Sequence, residues 1–397
     1  MNEAFPPRRL RVAFVTNFCQ YYRVKLFESL ARIYDVEFFF FSAGDESYWL
    51  AEHGVAQGSF THHDVPGVRV LGTSINPALI PQLWRGHFDV FVSGVVGKFA
   101  MPATYAVARA QGRPFVLWTQ IWMRLATPIH RAIYPATRFV YRHADAVVAS
   151  GEHVKSYLVS EGVAGDRIFN CGEATDNELY NQPVAAERVA TLRSQLGVNG
   201  GDKIILFIGR LEEEKGLPYL IDAFAALRRN DAVLVIAGKG NADYEQMLKQ
   251  RVQQLAIADR VRFPGFVPNH ETPDYYAGAW VYVLPSITTA AFKEPWGLVI
   301  NEAFNQGVPA IVSNSVGAAA GGMLKDGSEG LVVRERDVPA LAHALQRVLD
   351  DEALRHRLGE TARRTIQDWS IERMRRGFEV AIDYVVDARH AVDRPGR

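Results

Sequence analysis

The sequence predicts an α/β protein built from two Rossmann-like, doubly wound domains facing a central cleft. Three observations point there. The chain has 397 residues, more than one ordinary hydrophobic core serves. Short apolar runs rich in β-branched residues alternate with segments of helical period, the pattern of parallel sheets. That alternation starts afresh at Lys203, after a polar stretch, Asn181–Asp202, carrying Gly197, Gly200 and Gly201.

In the first half, Arg9–Thr16 reads as a buried strand that Asn17–Cys19 breaks, and Val24, Phe27, Leu30 and Ala31 then recur at helical spacing. Val36–Phe41, Phe88–Ser93, Pro114–Trp118 and Ala146–Ser150 read as further strands, with helices at Met101–Ala110 and around Glu152–Leu158. In the second half, Lys203–Gly209, Ala232–Ala237, Arg260–Phe263, Trp280–Leu284, Ala310–Ser313 and Gly330–Val333 are the strands. Leu217, Leu220, Ile221, Phe224 and Leu227 mark one helical face between the first two. The expected boundaries are 1–180 and 181–370, with a last helix in 371–397. Such tandem sheets bind ligands at their strand carboxyl ends.

The composition excludes several classes. A hydrophobic share of 48% with 22% charged residues describes an ordinary soluble protein. Lys+Arg and Asp+Glu balance at 44 each, so no global field draws the chain to nucleic acid. Cys19 and Cys171 are the only cysteines, too few for a disulfide scaffold, and no Cys/His spacing suits zinc. Met1–Arg11 lacks the apolar core of a signal peptide and the apolar runs are only strand-length. The expectation is a cytoplasmic protein, at most peripheral at the inner face of a membrane.

Four features fall at strand carboxyl ends of the second half. Gly209-Arg210-Leu211 with Lys215-Gly216 offers two cations on one loop, suited to a diphosphate. An alternative is that both cations pair with Glu212-Glu213-Glu214. Phe292–Glu302 (FKEPWGLVINE) places Glu294 ahead of a helix expected to start near Gly297, with Glu302 about a turn further in. Free backbone amides at that helix start favour phosphate, and each glutamate can accept hydroxyl hydrogens from a sugar or a ribose. Gly238-Lys239-Gly240 and the turn around Phe266 complete the set.

These residues resemble the retaining glycosyltransferases of the GT-B fold known as family 4, or glycosyltransferase group 1. The likeness runs from Arg210 and Lys215, through Glu294 and Glu302, to Asp326-Gly327 and Gly330-Leu331-Val332-Val333. It implies that Arg210 and Lys215 neutralise the leaving diphosphate. It further implies that Glu294 contacts the donor sugar, that Glu302 holds the ribose, that the backbone amides of Gly297, Leu298 and Val299 reach the phosphates, and that the last helix crosses back onto the first domain. Arg210, Lys215 and Glu294 are then the catalytic residues. The donor is a nucleotide diphosphate sugar, uridine favoured, with no cofactor or metal needed.

The first half, read as the acceptor domain, resembles the family more loosely. Where many members have a glycine pair, this chain has Asn17-Phe18-Cys19-Gln20-Tyr21-Tyr22-Arg23. A similar Tyr-Arg element occurs in members that build bacterial surface polysaccharides and glycolipids. Where members often carry a histidine, this chain reads Thr119-Gln120-Ile121-Trp122. Asn17, Tyr22, Arg23, Gln120 and Arg124 are the acceptor-side candidates, and Gln120 is equally readable as satisfying its own loop. Between Arg85 and Arg142 stand eight basic residues and one acid, Asp89. Arg124, Arg131 and Arg138 repeat at sevens, which would align them on a helix, but Pro128 and Pro135 are expected to interrupt it. This basic, partly apolar region is the candidate for contact with a saccharide or lipid-linked acceptor at a membrane face.

Two other functions share the architecture. A nucleotide-sugar 2-epimerase needs acid/base groups at the sugar ring, and the paired glutamates speak against it. A non-catalytic nucleotide-sugar sensor would be expected to lack Lys215 or Glu294. A nicotinamide enzyme would want G-x-G-x-x-G after an early strand, and none is there.

Overall fold

The computed structural model describes residues 9–44, 57–70, 73–94 and 98–392, so most of the polar start of the chain (residues 1–8) lies outside it. The chain divides into two compact units. One takes the chain up to Gly172 together with the helix Ile371–Val392; the other runs from Glu173 to Ser370.

The first unit contains β1 (Arg11–Thr16), β2 (Asp35–Phe40), β3 (His62–Asp64), β4 (Val68–Val70), β5 (Thr73–Ile75), β6 (Val90–Gly94), β7 (Phe115–Thr119), β8 (Ala146–Ala149) and β9 (Ile168–Asn170). Its parallel seven-stranded sheet has the order β3-β2-β1-β6-β7-β8-β9, and β4 pairs with β5 antiparallel. β6, β7 and β8 are buried throughout, as apolar strands covered on both faces must be. The short strands β3, β4, β5 and β9 are not legible as strands, because three residues are too few to show a period.

The helix Ile371–Val392 packs on this sheet. Phe378 is fully buried, its ring 5.6 Å from that of Phe14 on β1 and 5.5 Å from that of Trp118 on β7. Cys171 and Gly377 approach so closely that a Cβ at 377 would lie 2.5 Å from Cys171 Cα.

The expected break at the prolines is corrected by the structure. Pro128–His143 is one helix. Pro128 occupies its first turn, where a missing N–H costs nothing, and the Thr127 side chain caps it by accepting from the His130 amide. Pro135 lies inside and only removes the bond to the Arg131 carbonyl. Arg131 and Arg138 share this helix, while Arg124 precedes it.

The second unit contains β10 (Lys203–Ile208), β11 (Ala232–Ala237), β12 (Val261–Gly265), β13 (Val281–Leu284), β14 (Ala310–Ser313) and β15 (Gly330–Val333), in the parallel order β12-β11-β10-β13-β14-β15. The winding reverses between β10 and β13, and this switch point is where an open α/β sheet leaves a crevice at its carboxyl edge.

Phe378→Ala should lower the stability of the first unit by about 3–5 kcal/mol, the cost of emptying a buried phenyl site. Denaturant unfolding of the full chain would read this, and a change below ~1 kcal/mol would mean that the helix contributes little to the unit.

Candidate active site

The loops leaving β10 and β13 flank the switch point of the second unit, and they carry Lys215 and Glu294. Lys215 Nζ lies 2.5 Å from Glu294 Oε2, with both side chains largely buried. The Ser286 hydroxyl donates to the same oxygen at 2.8 Å, and the Lys215 ammonium stands 5.2 Å from the centre of the Phe292 ring. Three backbone bonds hold the second loop in place. The Ile287 amide donates to the Glu214 carbonyl (2.8 Å), Gly317 to that of Glu294 (3.0 Å), and Ala318 to that of Trp296 (2.8 Å).

Arg210 behaves differently from Lys215. Its guanidinium lies 2.9 Å from Glu214 Oε1, so the acidic run takes up Arg210 but leaves Lys215 to Glu294. The Gly238-Lys239-Gly240 loop packs against the Gly209 loop. The Leu211 amide donates to the Lys239 carbonyl (3.0 Å), and a Cβ on Gly238 would fall 1.8 Å from the Gly209 carbonyl oxygen. Gly209 and Gly238 thus have a structural duty, while Lys239 is exposed beside them. Phe266 follows β12 and is half-buried.

The helix after Glu294 runs Leu298–Asn305, with Gly297 as its cap at φ 91°. A side chain at 297 would be strained by that φ and would meet Leu284 Cδ2 at 2.7 Å. No side chain caps this helix, and Leu298 and Val299, half-buried, form its first turn.

Glu302 lies deeper than a surface ribose contact would suggest. It is buried, and the Tyr276 hydroxyl donates to its Oε2 at 2.8 Å. Burial pushes its carboxyl up to about 7, against the pull of the Tyr276 and Tyr180 hydroxyls. Tyr282, whose hydroxyl donates to the Ile208 carbonyl (3.0 Å), is itself raised by burial and by the nearby charges of Glu302 and Glu294. Ser286 and Tyr276 were not foreseen. Ser286 stands two residues past β13, a strand end where a polar residue is a fair site candidate; Tyr276 gave no signal beyond an apolar helix face.

The acceptor-side candidates scatter more. Asn17 is buried after β1, and its side-chain oxygen accepts from Thr16 (3.1 Å) and Gln20 (3.3 Å). Arg23 is buried too, its guanidinium 5.0 Å from the Tyr22 ring centre and 4.9 Å from that of Trp118, with Nη1 3.3 Å from Met374 Sδ. It serves the packing of the first unit. Gln120 follows β7, and Arg124 lies over the Tyr134 ring at 4.0 Å. Several cations of the basic region are engaged as well. Arg109 pairs with Asp145 (3.0 Å), Arg113 with Asp89 (3.5 Å) and Arg138 with Glu161 (3.1 Å). Among the described residues, no group of three or more His, Cys, Asp or Glu could hold a metal ion, and no helix is long and apolar enough to cross a membrane.

The model of the family "Glycosyl transferases group 1" matches residues 189–365. The D-inositol 3-phosphate glycosyltransferase of Frankia alni is 30% identical over 300 residues, which cover 70% of this chain and 69% of that one. The chain belongs to the group 1 glycosyltransferases. An uncharacterized glycosyltransferase of Methanocaldococcus jannaschii is 32% identical over 237 residues, 57% of this chain, and there the match spans only 58% of the relative's length. Among solved structures, Anabaena HepE in complex with UDP superposes with a TM-score of 0.76 at 19% identity, covering 94% of this chain and 99% of that one. This likeness shows the GT-B fold. The group 1 match covers the unit that holds Lys215, Glu294 and Glu302.

Two outcomes test the site. Lys215→Met and Glu294→Gln should each destabilise the second unit, by up to about 3–5 kcal/mol, because each leaves a buried charge or dipole without its partner. The double variant should lose less than the sum, by ~1–3 kcal/mol in a double-mutant cycle, and strict additivity would deny the pair. For Glu302, the folded pKa of about 7 stands above an unfolded value of about 4.3. The folded state therefore holds the extra proton between the two, and wild-type stability falls as pH rises through that window. The melting temperature of Glu302→Gln relative to wild type should rise from pH 5 to pH 8; a flat difference would mean that Glu302 titrates normally.

Proposed function

We propose that this group 1 glycosyltransferase moves a hexose from a UDP-sugar to an acceptor hydroxyl, with retention at the anomeric carbon and without a metal. The observation that carries the reading is the Lys215–Glu294 pair at the switch point, beside the uncapped start of helix Leu298–Asn305. A donor diphosphate there meets the ammonium of Lys215 and the helix-start amides, both of which favour the dianion that departs. Glu294 accepts hydroxyl hydrogens of the sugar, and Glu302 those of the ribose. The acceptor oxygen bonds to the anomeric carbon on the face from which the diphosphate leaves, and a phosphate oxygen takes the acceptor proton. Uridine is supported by the UDP complex of Anabaena HepE. The likeness of the Tyr22-Arg23 element to that of members that build surface polysaccharides and glycolipids, rather than any contact of the buried Arg23, supports an acceptor in such assembly, at the cytoplasmic side of a membrane.

A thermal-shift screen of the full chain against UDP, GDP, ADP and their sugar conjugates, with EDTA present, is the test. UDP and one UDP-sugar should raise the melting temperature by mass action. A shift with GDP or ADP alone would replace the base, and a shift that appears only with added magnesium would overturn the metal-free reading.

A further inference from the structure

The first unit contains an apolar pocket of about 140 Å³ lined by Met101, Ile121, Met123, Leu125 and Ile133 with the tyrosines 134, 141 and 157. It lies where the chain leaves β6 and β7. Lys98 and Met101 follow the first of these strands, Ile121 to Leu125 follow the second, and Ile133 and Tyr134 belong to helix Pro128–His143. The carboxyl edge of a parallel sheet is where such folds take ligands. An apolar cavity of comparable size stays dry and accepts a benzene-sized molecule.

The pocket also has a charge. Lys98 and His130 line it together with these apolar groups, and among the described residues no acid does. His130 takes a hydrogen bond with the Thr127 hydroxyl (2.5 Å), and burial together with the Lys98 ammonium favours its neutral form. Arg124 lies over the face of Tyr134, one of the lining rings. Glu161, a hydrogen-bond partner of Tyr134, is itself paired with Arg138 at 3.1 Å. The electrostatic balance at the pocket is therefore positive.

We propose that this pocket selects the acceptor, taking a compact apolar group attached to an anionic one, with the apolar group among Met101, Ile121 and Ile133 and the anion on Lys98. The inference rests on the glycosyltransferase reading for the word acceptor, but not for the binding itself.

Benzyl phosphate is the probe, titrated by calorimetry into the full chain at pH 7.5, with the UDP thermal shift measured on the same samples. Saturable one-to-one binding is expected, with benzyl alcohol and inorganic phosphate each at least about tenfold weaker. Thr137 also lines the pocket; Thr137→Trp, which fills it, should abolish binding, and Lys98→Ala should weaken it about tenfold. A denaturant unfolding transition of the full chain unchanged from wild type shows that each variant is folded; if Thr137→Trp loses that transition, Lys98→Ala decides. No saturable binding, or binding indifferent to Lys98→Ala, overturns the pocket assignment. A UDP shift without benzyl phosphate binding overturns it alone and leaves the donor reading standing. Benzyl phosphate binding without any UDP shift supports the pocket and counts against the donor reading.

Discussion

The arrangement of the second unit depends on one buried ion pair, Lys215 with Glu294, closed by the Ser286 hydroxyl. The two charges come from loops on either side of the switch point, and neither would be stable there alone. Together they fix the path of the chain from β13 into helix Leu298–Asn305, and so the position of that helix start. A ligand diphosphate would meet a lysine already neutralised by a carboxylate. Lys215 can then serve the phosphate only by sharing its hydrogen bonds, which makes the pair a poised arrangement rather than an open cation.

Glu302 extends the same logic inward. A carboxylate held near pH 7 by burial is a group whose charge depends on its partners, and ribose hydroxyls would be such partners. Tyr276 holds one oxygen, and the donor is read as completing the set. Arg210, by contrast, is occupied by Glu214 in the free protein, so its service to a diphosphate would require an exchange of partners.

Much of this was legible in the sequence, and for a physical reason. Buried parallel strands leave continuous apolar runs, so β1, β2, β6, β7, β8 and the strands of the second unit stood out. Charged residues just past their ends are costly unless used, which singled out Arg210, Lys215 and Glu294. What stayed hidden were contacts made across the fold. Nothing local announces that Arg23 is buried between Tyr22 and Trp118, or that Arg210 and Lys215 choose different acids. Pro135 misled because a proline within a helix removes one bond without ending it when the helix face is otherwise packed. The apolar pocket of the first unit was invisible because its lining comes from four segments separated in sequence.

The measurement that tests the account most directly is the affinity of the Glu294→Gln variant for UDP and for UDP-glucose, by calorimetry. Glu294 is read as touching the sugar and releasing Lys215 to the phosphate. The account therefore predicts UDP-glucose binding weakened about tenfold while UDP binding stays level or tightens. Equal weakening of both ligands would contradict it, and would make Glu294 a support for the loop rather than a reader of the donor sugar.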